Sequence, residues 1–301
     1  MLLIGRAFWP KTRDRERTID RRRCRIGERA ICFPIAQLAL AFALVVMAAP
    51  RLPAHAETTE PVDVALVLAV DISFSMTMRE LALQRDGYVA AFRDPRVHAA
   101  IAAGPHQRIA VSYLEWAGAA TQEVIAPWRI IDGPDAAEAF ADFLAEQPLR
   151  RTRRTSISAA LSAASNLFET LPAPALRRVI DVSGDGPNNE GRIVTIARNE
   201  TIDAGITING LPIMLARGDP LDIPDLDHYY IDCVIGGPGA FIVPVRAHDE
   251  FTEAIRRKLI LEIADLAPPR PLIHRAGERP GADCLIGERM FQEWRERNRA
   301  R

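Results

Sequence analysis

Lysine is almost missing from this sequence: Lys11 and Lys258 are the only two in 301 residues. Beyond residue 56 the chain carries 27 Lys+Arg against 35 Asp+Glu, a net charge of −8. Nucleic-acid phosphates reward clustered Lys and Arg, so an acidic, lysine-poor chain is excluded as a general nucleic-acid binder. No G-x-S-x-G elbow surrounds Ser73 or Ser75, which removes support for an esterase nucleophile. No internal repeat interrupts the text, and no lipobox cysteine follows its one long apolar run, so lipid anchoring is disfavoured.

That run belongs to the N-terminus. "RDRERTIDRRRCRIGER" is basic, "AICFPIAQLALAFALVVMAA" is apolar, and "PRLPAHAE" places Ala54 and Ala56 around His55. A basic n-region, an apolar h-region and an A-x-A site predict a signal peptide over residues 1–56, cleaved near Ala56, and hence a periplasmic or secreted protein with no stable membrane span after cleavage. An uncleaved anchor is the alternative, because residues 30–49 approach the ~20 residues of a spanning helix. Cleavage removes Cys24 and Cys32 and leaves Cys233 and Cys284 in an oxidising compartment. Either they form a disulfide that pins the C-terminal tail, or Cys233 is a buried thiol and Cys284 a loose one.

Over the following 200 residues, strand-like and helix-like patterns alternate. "VDVALVLAV" (62–70) has the continuous apolar, β-branched character of a strand buried on both faces. "MRELALQRDGYVAAFRD" reads as an amphipathic helix. "RIAVSYLEWAG" and "QEVIAPWRII" read as two strands joined by a turn, the second demoted to an edge by Pro127. Helices opening at Pro134 and near Thr155, strands at 177–184, 206–214 and 240–245, and helices at 191–205 and 248–264 complete the series. This predicts an α/β fold: a doubly wound, mostly parallel open sheet with helices on both faces and one antiparallel edge strand. One domain accounts for residues 57–266, and the Pro-, Gly- and Arg-rich 267–301 reads as a loosely packed or flexible tail.

In open α/β sheets ligands bind outside the carboxyl ends of the strands. There stand Asp71, Ser73 and Ser75 of "DISFSM", Thr155 of "RRTSISAAL" and Asp185 of "SGDGPNN". Singly, each has an ordinary explanation: Ser73, Ser75 and Thr155 as helix N-caps, "SGDG" as a turn. Together they offer hard oxygen donors with few direct carboxylates, the set that Mg²⁺ prefers.

In this order and spacing, Asp71-x-Ser73-x-Ser75, Thr155 and Asp185-Gly186 resemble the metal-ion-dependent adhesion site of the von Willebrand factor A-like fold. The resemblance covers roughly residues 60–264. More narrowly the chain is similar to exported bacterial A-domain proteins of unknown function, through "SGDGPNN" and "DCVIGGPGAF". It implies that Asp71, Ser73, Ser75, Thr155 and Asp185 hold one divalent ion, Mg²⁺ or else Mn²⁺ or Ca²⁺. It also implies that an open coordination position accepts an Asp or Glu carboxylate from a partner protein, so that the domain binds rather than catalyses. One departure is Gly184, where many relatives have threonine directly before the aspartate.

"GDGPNNE" also resembles the acidic loop of haloacid dehalogenase-like phosphatases, with Asp71 as nucleophile. Such enzymes need an acid where Ser73 stands, an aspartate where Asn189 stands, and a lysine that this stretch lacks; a serine hydroxyl is no general acid at neutral pH. A structural A-domain with an empty site is the third possibility. Among weaker features, "GGPGAF" reads as a turn, His228, Tyr229 and Tyr230 as a half-buried loop, Asp181 as a partner of Arg177 or Arg178, and "RRTRR" (150–154) as a basic patch able to steer acidic partners.

Overall fold

The computed structural model describes residues 59–215, 222–265 and 281–299. The expected signal peptide at 1–56, with its cleavage site, lies outside them, as does 267–280 of the expected tail. Among the described residues, no helix is long and apolar enough to cross a membrane.

Strand β1 (Val62–Asp71) is buried at all ten positions and lies at the centre of the sheet. Its apolar side chains alternate between two cores: Val64, Leu66, Leu68 and Val70 enter one, Val67 and Ala69 the other. That period-2 division is how one continuous apolar run serves a sheet covered on both faces. Strands β2 (Ile109–Trp116) and β4 (Ala175–Gly184) flank β1 in parallel, and β5 (Thr207–Pro212) extends the sheet beyond β4. The edge strand β3 (Gln122–Ile131), antiparallel to β2, contains Pro127 and exposes much of its length. The strand order is β3-β2-β1-β4-β5.

Helices α1 (Met78–Phe92), α2 (Pro95–Ala102), α3 (Pro134–Glu146) and α7 (Phe251–Ile263) pack on one face through Phe92, Val97, Phe140 and Phe251. Helices α4 (Ile157–Leu167), α5 (Val194–Asp203) and the short α6 (Leu226–Tyr229) cover the other through Leu161, Val194 and Tyr229. Helix α8 (Ile286–Arg299) follows near the C-terminus.

Several local expectations differ from the structure. Residues 240–245 form only isolated bridges, Ile242 with Gly210 and Val245 with Ile213, because Pro212 of β5 has no N–H with which to make the ladder bond between them. Tyr229 and Tyr230 are not a half-buried loop but fully buried, Tyr230 opening a π-helical turn. Asp181 pairs with neither Arg177 nor Arg178. The Lys258 ammonium of α7 lies 2.7 Å from Asp181 Oδ1 and also bonds Glu262 Oε1, all three side chains fully buried. The two arginines cap helix ends instead: Arg177 donates to the carbonyls of Glu262 and Ile263, Arg178 to that of Ala204.

Residues 281–299 also depart from a loosely packed tail. Cys233 and Cys284 are disulfide-bonded with Cα atoms 5.4 Å apart, and the Ala282 N–H donates to Asp232 Oδ2 at 2.7 Å. Composition signalled solvent exposure correctly for the outer turns of α8, but the bridge fixes the helix start to the domain.

Candidate functional site

Three loops at the carboxyl end of the sheet carry the five candidate side chains. The first leaves β1 at Asp71. Its serines are not helix caps: Thr77 caps α1, accepting from the Glu80 N–H at 3.2 Å while Glu80 Oε2 accepts from the Thr77 N–H at 2.7 Å. This reciprocal capping box satisfies the helix start and leaves Ser73 and Ser75 for another task. Likewise Ser156, not Thr155, caps α4, its Oγ accepting from the Ala159 N–H.

Backbone bonds lace the loops together. Thr152 N–H donates to the Ile72 carbonyl at 2.9 Å, Ser156 N–H to the Ala117 carbonyl at 2.7 Å, and Asn189 N–H to the Thr155 carbonyl at 2.9 Å. Asn189 Oδ1 accepts in return from the Thr155 N–H at 3.1 Å. Asn188, fully buried, accepts from the Ser158 N–H and donates to the Arg192 carbonyl. Its own N–H donates to the Tyr229 hydroxyl at 3.1 Å. The two asparagines of "SGDGPNN" are thus loop clamps; side-chain amides with both a donor and an acceptor suit that work, although nothing in the sequence distinguished them from turn residues.

The side chains converge. Asp71 Oδ1 accepts from the Ser73 N–H at 2.7 Å, Ser73 Oγ and Ser75 Oγ lie 2.8 Å apart, and Ser75 Oγ donates to Asp185 Oδ1 at 2.6 Å. Ser73, Ser75, Thr155 and Asp185 line one cavity of about 380 Å³, with Asp71 completely buried behind Ser73. All five candidates are therefore brought together around one end of the sheet.

Asp71 is the anomaly in the cluster. Its Oδ2 is buried with no hydrogen-bond partner among the described residues. Burial first, and the neighbouring Asp185 charge second, push its carboxyl well above the usual carboxylate range. Burial and the same two acids also push the nearby Tyr230 hydroxyl up. Two neighbouring acids, one fully buried with an unpartnered oxygen and the other lining the cavity, fit a bound cation. Neighbouring oxygens of an Mg²⁺ octahedron lie about 2.9 Å apart, since each sits at ~2.0–2.1 Å from the ion. The 2.8 Å hydroxyl spacing of Ser73 and Ser75 matches that edge. Among the described residues no group of three or more His, Cys, Asp or Glu could hold a metal, so hydroxyls would have to complete the set.

Close approach accounts for glycine at 184, where the resemblance leads one to expect threonine. A Cβ there would stand 2.8 Å from the Tyr230 hydroxyl and 3.1 Å from Asp71 Oδ2. The tyrosine fills the volume that a larger residue 184 would need. Gly186, by contrast, has open space around it and no left-handed backbone, so only one of the two glycines flanking Asp185 is required by close approach.

With this architecture the chain is an α/β domain of von Willebrand factor A-like fold. It belongs to the family described as "Protein of unknown function (DUF1194)", which matches residues 61–267. The zinc-occupied MIDAS form of proximal thread matrix protein 1 from the mussel byssus is similar at 12% identity and a TM-score of 0.52, over 68% of this chain and 48% of that one. The pilus adhesin SpaC from Lactobacillus rhamnosus GG is similar at 12% identity and a TM-score of 0.51, over 68% and 30%. A von Willebrand factor type A protein from Catenulispora acidiphila aligns at 13% identity and a TM-score of 0.46, over 67% and 43%. The chain thus spans half or less of the length of these proteins. No curated protein matches it.

Proposed function

We propose that this chain is an exported protein-binding domain, not an enzyme, that captures an Asp or Glu carboxylate of a partner protein through one divalent ion. In this reading a signal peptide over 1–56 delivers the domain, and Asp71, Ser73, Ser75, Thr155 and Asp185 hold the ion, directly or through water. The observation that carries it is the buried Asp71 carboxylate, one oxygen held by the Ser73 N–H and the other unpartnered among the described residues, beside a converging set of hydroxyls and Asp185. Two carboxylates against a divalent charge leave a near-neutral site. The ion would supply Lewis acidity for an incoming anion. Mg²⁺ is the preferred occupant by donor type, with Mn²⁺ and Ca²⁺ as competitors decided by cavity size.

Phosphatase chemistry lacks its parts. Ser73 stands where a general acid is needed, the Asn189 amide is tied to Thr155, and Lys258 is buried against Asp181 and Glu262. Isothermal titration of Mg²⁺ and Mn²⁺ into the chelator-stripped protein tests the proposal. One ion bound by wild type and lost in Asp71→Ala and Ser73→Ala supports it; no uptake by wild type leaves a structural A-domain with an empty site.

A further inference from the structure

The C-terminal helix reaches the candidate site from more than 100 residues beyond Asp185. Its start is held at three points besides the disulfide. Ala282 bonds Asp232, the Asn188 side-chain amide donates to Glu288 Oε1 at 2.8 Å, and Gly287 packs against the Asn188 carbonyl. A Cβ on Gly287 would stand 2.1 Å from that carbonyl oxygen, so the helix approaches the Asp185 loop as closely as backbone allows.

One turn further, Phe291 and Trp294 stack with centroids 5.7 Å apart and form one wall of the cavity that contains Ser75 and Asp185. Phe74, from the loop after β1, lines the same cavity. Phe74 is 45% exposed and Trp294 42% exposed, so neither serves the core. Arginines hold these rings in place: Arg151 and Arg153 lie 4.9 and 5.7 Å from the Phe74 centroid, Arg154 3.9 Å from that of Phe291. Guanidinium over ring fixes the rim and keeps positive charge beside the acid floor, although the domain as a whole is acidic.

We infer that the cavity reads a two-part ligand: an acidic peptide in which a bulky apolar side chain flanks the docking Asp or Glu. Phe74, Phe291 and Trp294 receive the apolar side chain. The arginine rim attracts the peptide's negative charge. A space of about 380 Å³ is of the size of small-ligand pockets and suits two adjacent side chains rather than a folded surface. Specificity then comes from the last helix, and the Cys233–Cys284 bridge, together with the Ala282–Asp232 and Asn188–Glu288 bonds, keeps that wall in position. This inference rests on the metal-dependent capture proposed above.

The test uses the purified, disulfide-intact protein saturated with Mg²⁺. It is titrated with two synthetic hexapeptides that differ only in carrying phenylalanine or serine on both sides of a single aspartate. Wild type is expected to bind the phenylalanine peptide about 10-fold or more tightly over the serine peptide, the value of burying one apolar side chain. Phe291→Ser and Trp294→Ser are expected to bind the two peptides alike while taking up Mg²⁺ as wild type does, which also shows them folded. Normal Mg²⁺ uptake with no discrimination by wild type, or with discrimination kept in both variants, overturns this inference alone. Failure of wild type to take up Mg²⁺ overturns the metal reading and this inference with it.

Discussion

Ser75 Oγ donates a 2.6 Å hydrogen bond to Asp185 Oδ1, joining two loops 110 residues apart in sequence. Beneath this contact Asp71 is fully buried, and burial with the Asp185 charge raises its carboxyl pKa. Without a cation, the buried Asp71 stands beside a second acid at a cost to the fold.

The cost gives a first prediction. A group whose folded pKa is raised contributes stability at low pH that is lost as pH climbs through the folded value, so chelator-stripped protein should weaken above the ordinary aspartate range. Asp71→Asn should raise the melting temperature in chelator and abolish stabilisation by added ion. For wild type, Mg²⁺ at 100 times its Kd should add about 2.7 kcal/mol. Calorimetric melts with and without Mg²⁺ check both; a wild-type melt unmoved by Mg²⁺ contradicts the site.

Lys258 gives the second. It stands between Asp181 and Glu262, all buried. Lys258→Met should cost about 3–5 kcal/mol, because it strands two carboxylates without their cation. Burial, then Asp181, raises Glu262 from 4.5 to about 7 despite the lysine. Its contribution is therefore fully present below pH 4.5 and fades as pH rises through 7, by about 3 kcal/mol. Glu262→Gln should flatten that slope in urea melts at pH 5 and pH 8; an unchanged slope refutes the assignment.

Why some of this was legible in sequence and some not follows from range. The apolar run of β1, Pro127 on β3 and the order of Asp71, Thr155 and Asp185 are local signals, and the sheet rule places strand ends together. The partner of Asp181 is not local: Lys258 lies 77 residues on, whereas the arginines nearest in sequence are Arg177 and Arg178. Likewise 240–245 has strand composition, yet its pairing reduces to bridges. Phe291 and Trp294 sit in a text so rich in Arg and Pro that its composition reads as a tail; long-range contacts, the Cys284 bridge and the Asn188–Glu288 bond among them, bring them to the cavity.

That bridge carries the third prediction. It closes a 51-residue separation, for which loop entropy gives up to about 4 kcal/mol. Cys233→Ala with Cys284→Ala should lose stability up to that amount. Amide exchange over Ile286–Arg299 should accelerate by a larger factor than over Val62–Asp71, since the helix loses its tether while the central strand keeps both neighbours. Equal acceleration in the two segments would mean that the bridge stabilises the domain as a whole and holds no wall.

Gly184 gives the last. A methyl there meets the Tyr230 hydroxyl at 2.8 Å, Asp71 Oδ2 at 3.1 Å and the Trp116 ring at 3.3 Å, all in buried side chains that cannot swing into solvent. Gly184→Ala should cost about 1–3 kcal/mol, as overpacking does, and weaken Mg²⁺ uptake by displacing Asp71. The Tyr230 hydroxyl has no hydrogen-bond partner among the described residues, so removing it loses little. Tyr230→Phe should therefore be mild alone and should restore most of the stability of Gly184→Ala when combined with it. A double-mutant cycle on urea melts isolates this coupling. Additive effects would show that Tyr230 is not what requires glycine before Asp185, and that the departure from threonine has its cause in Asp71 or Trp116 instead.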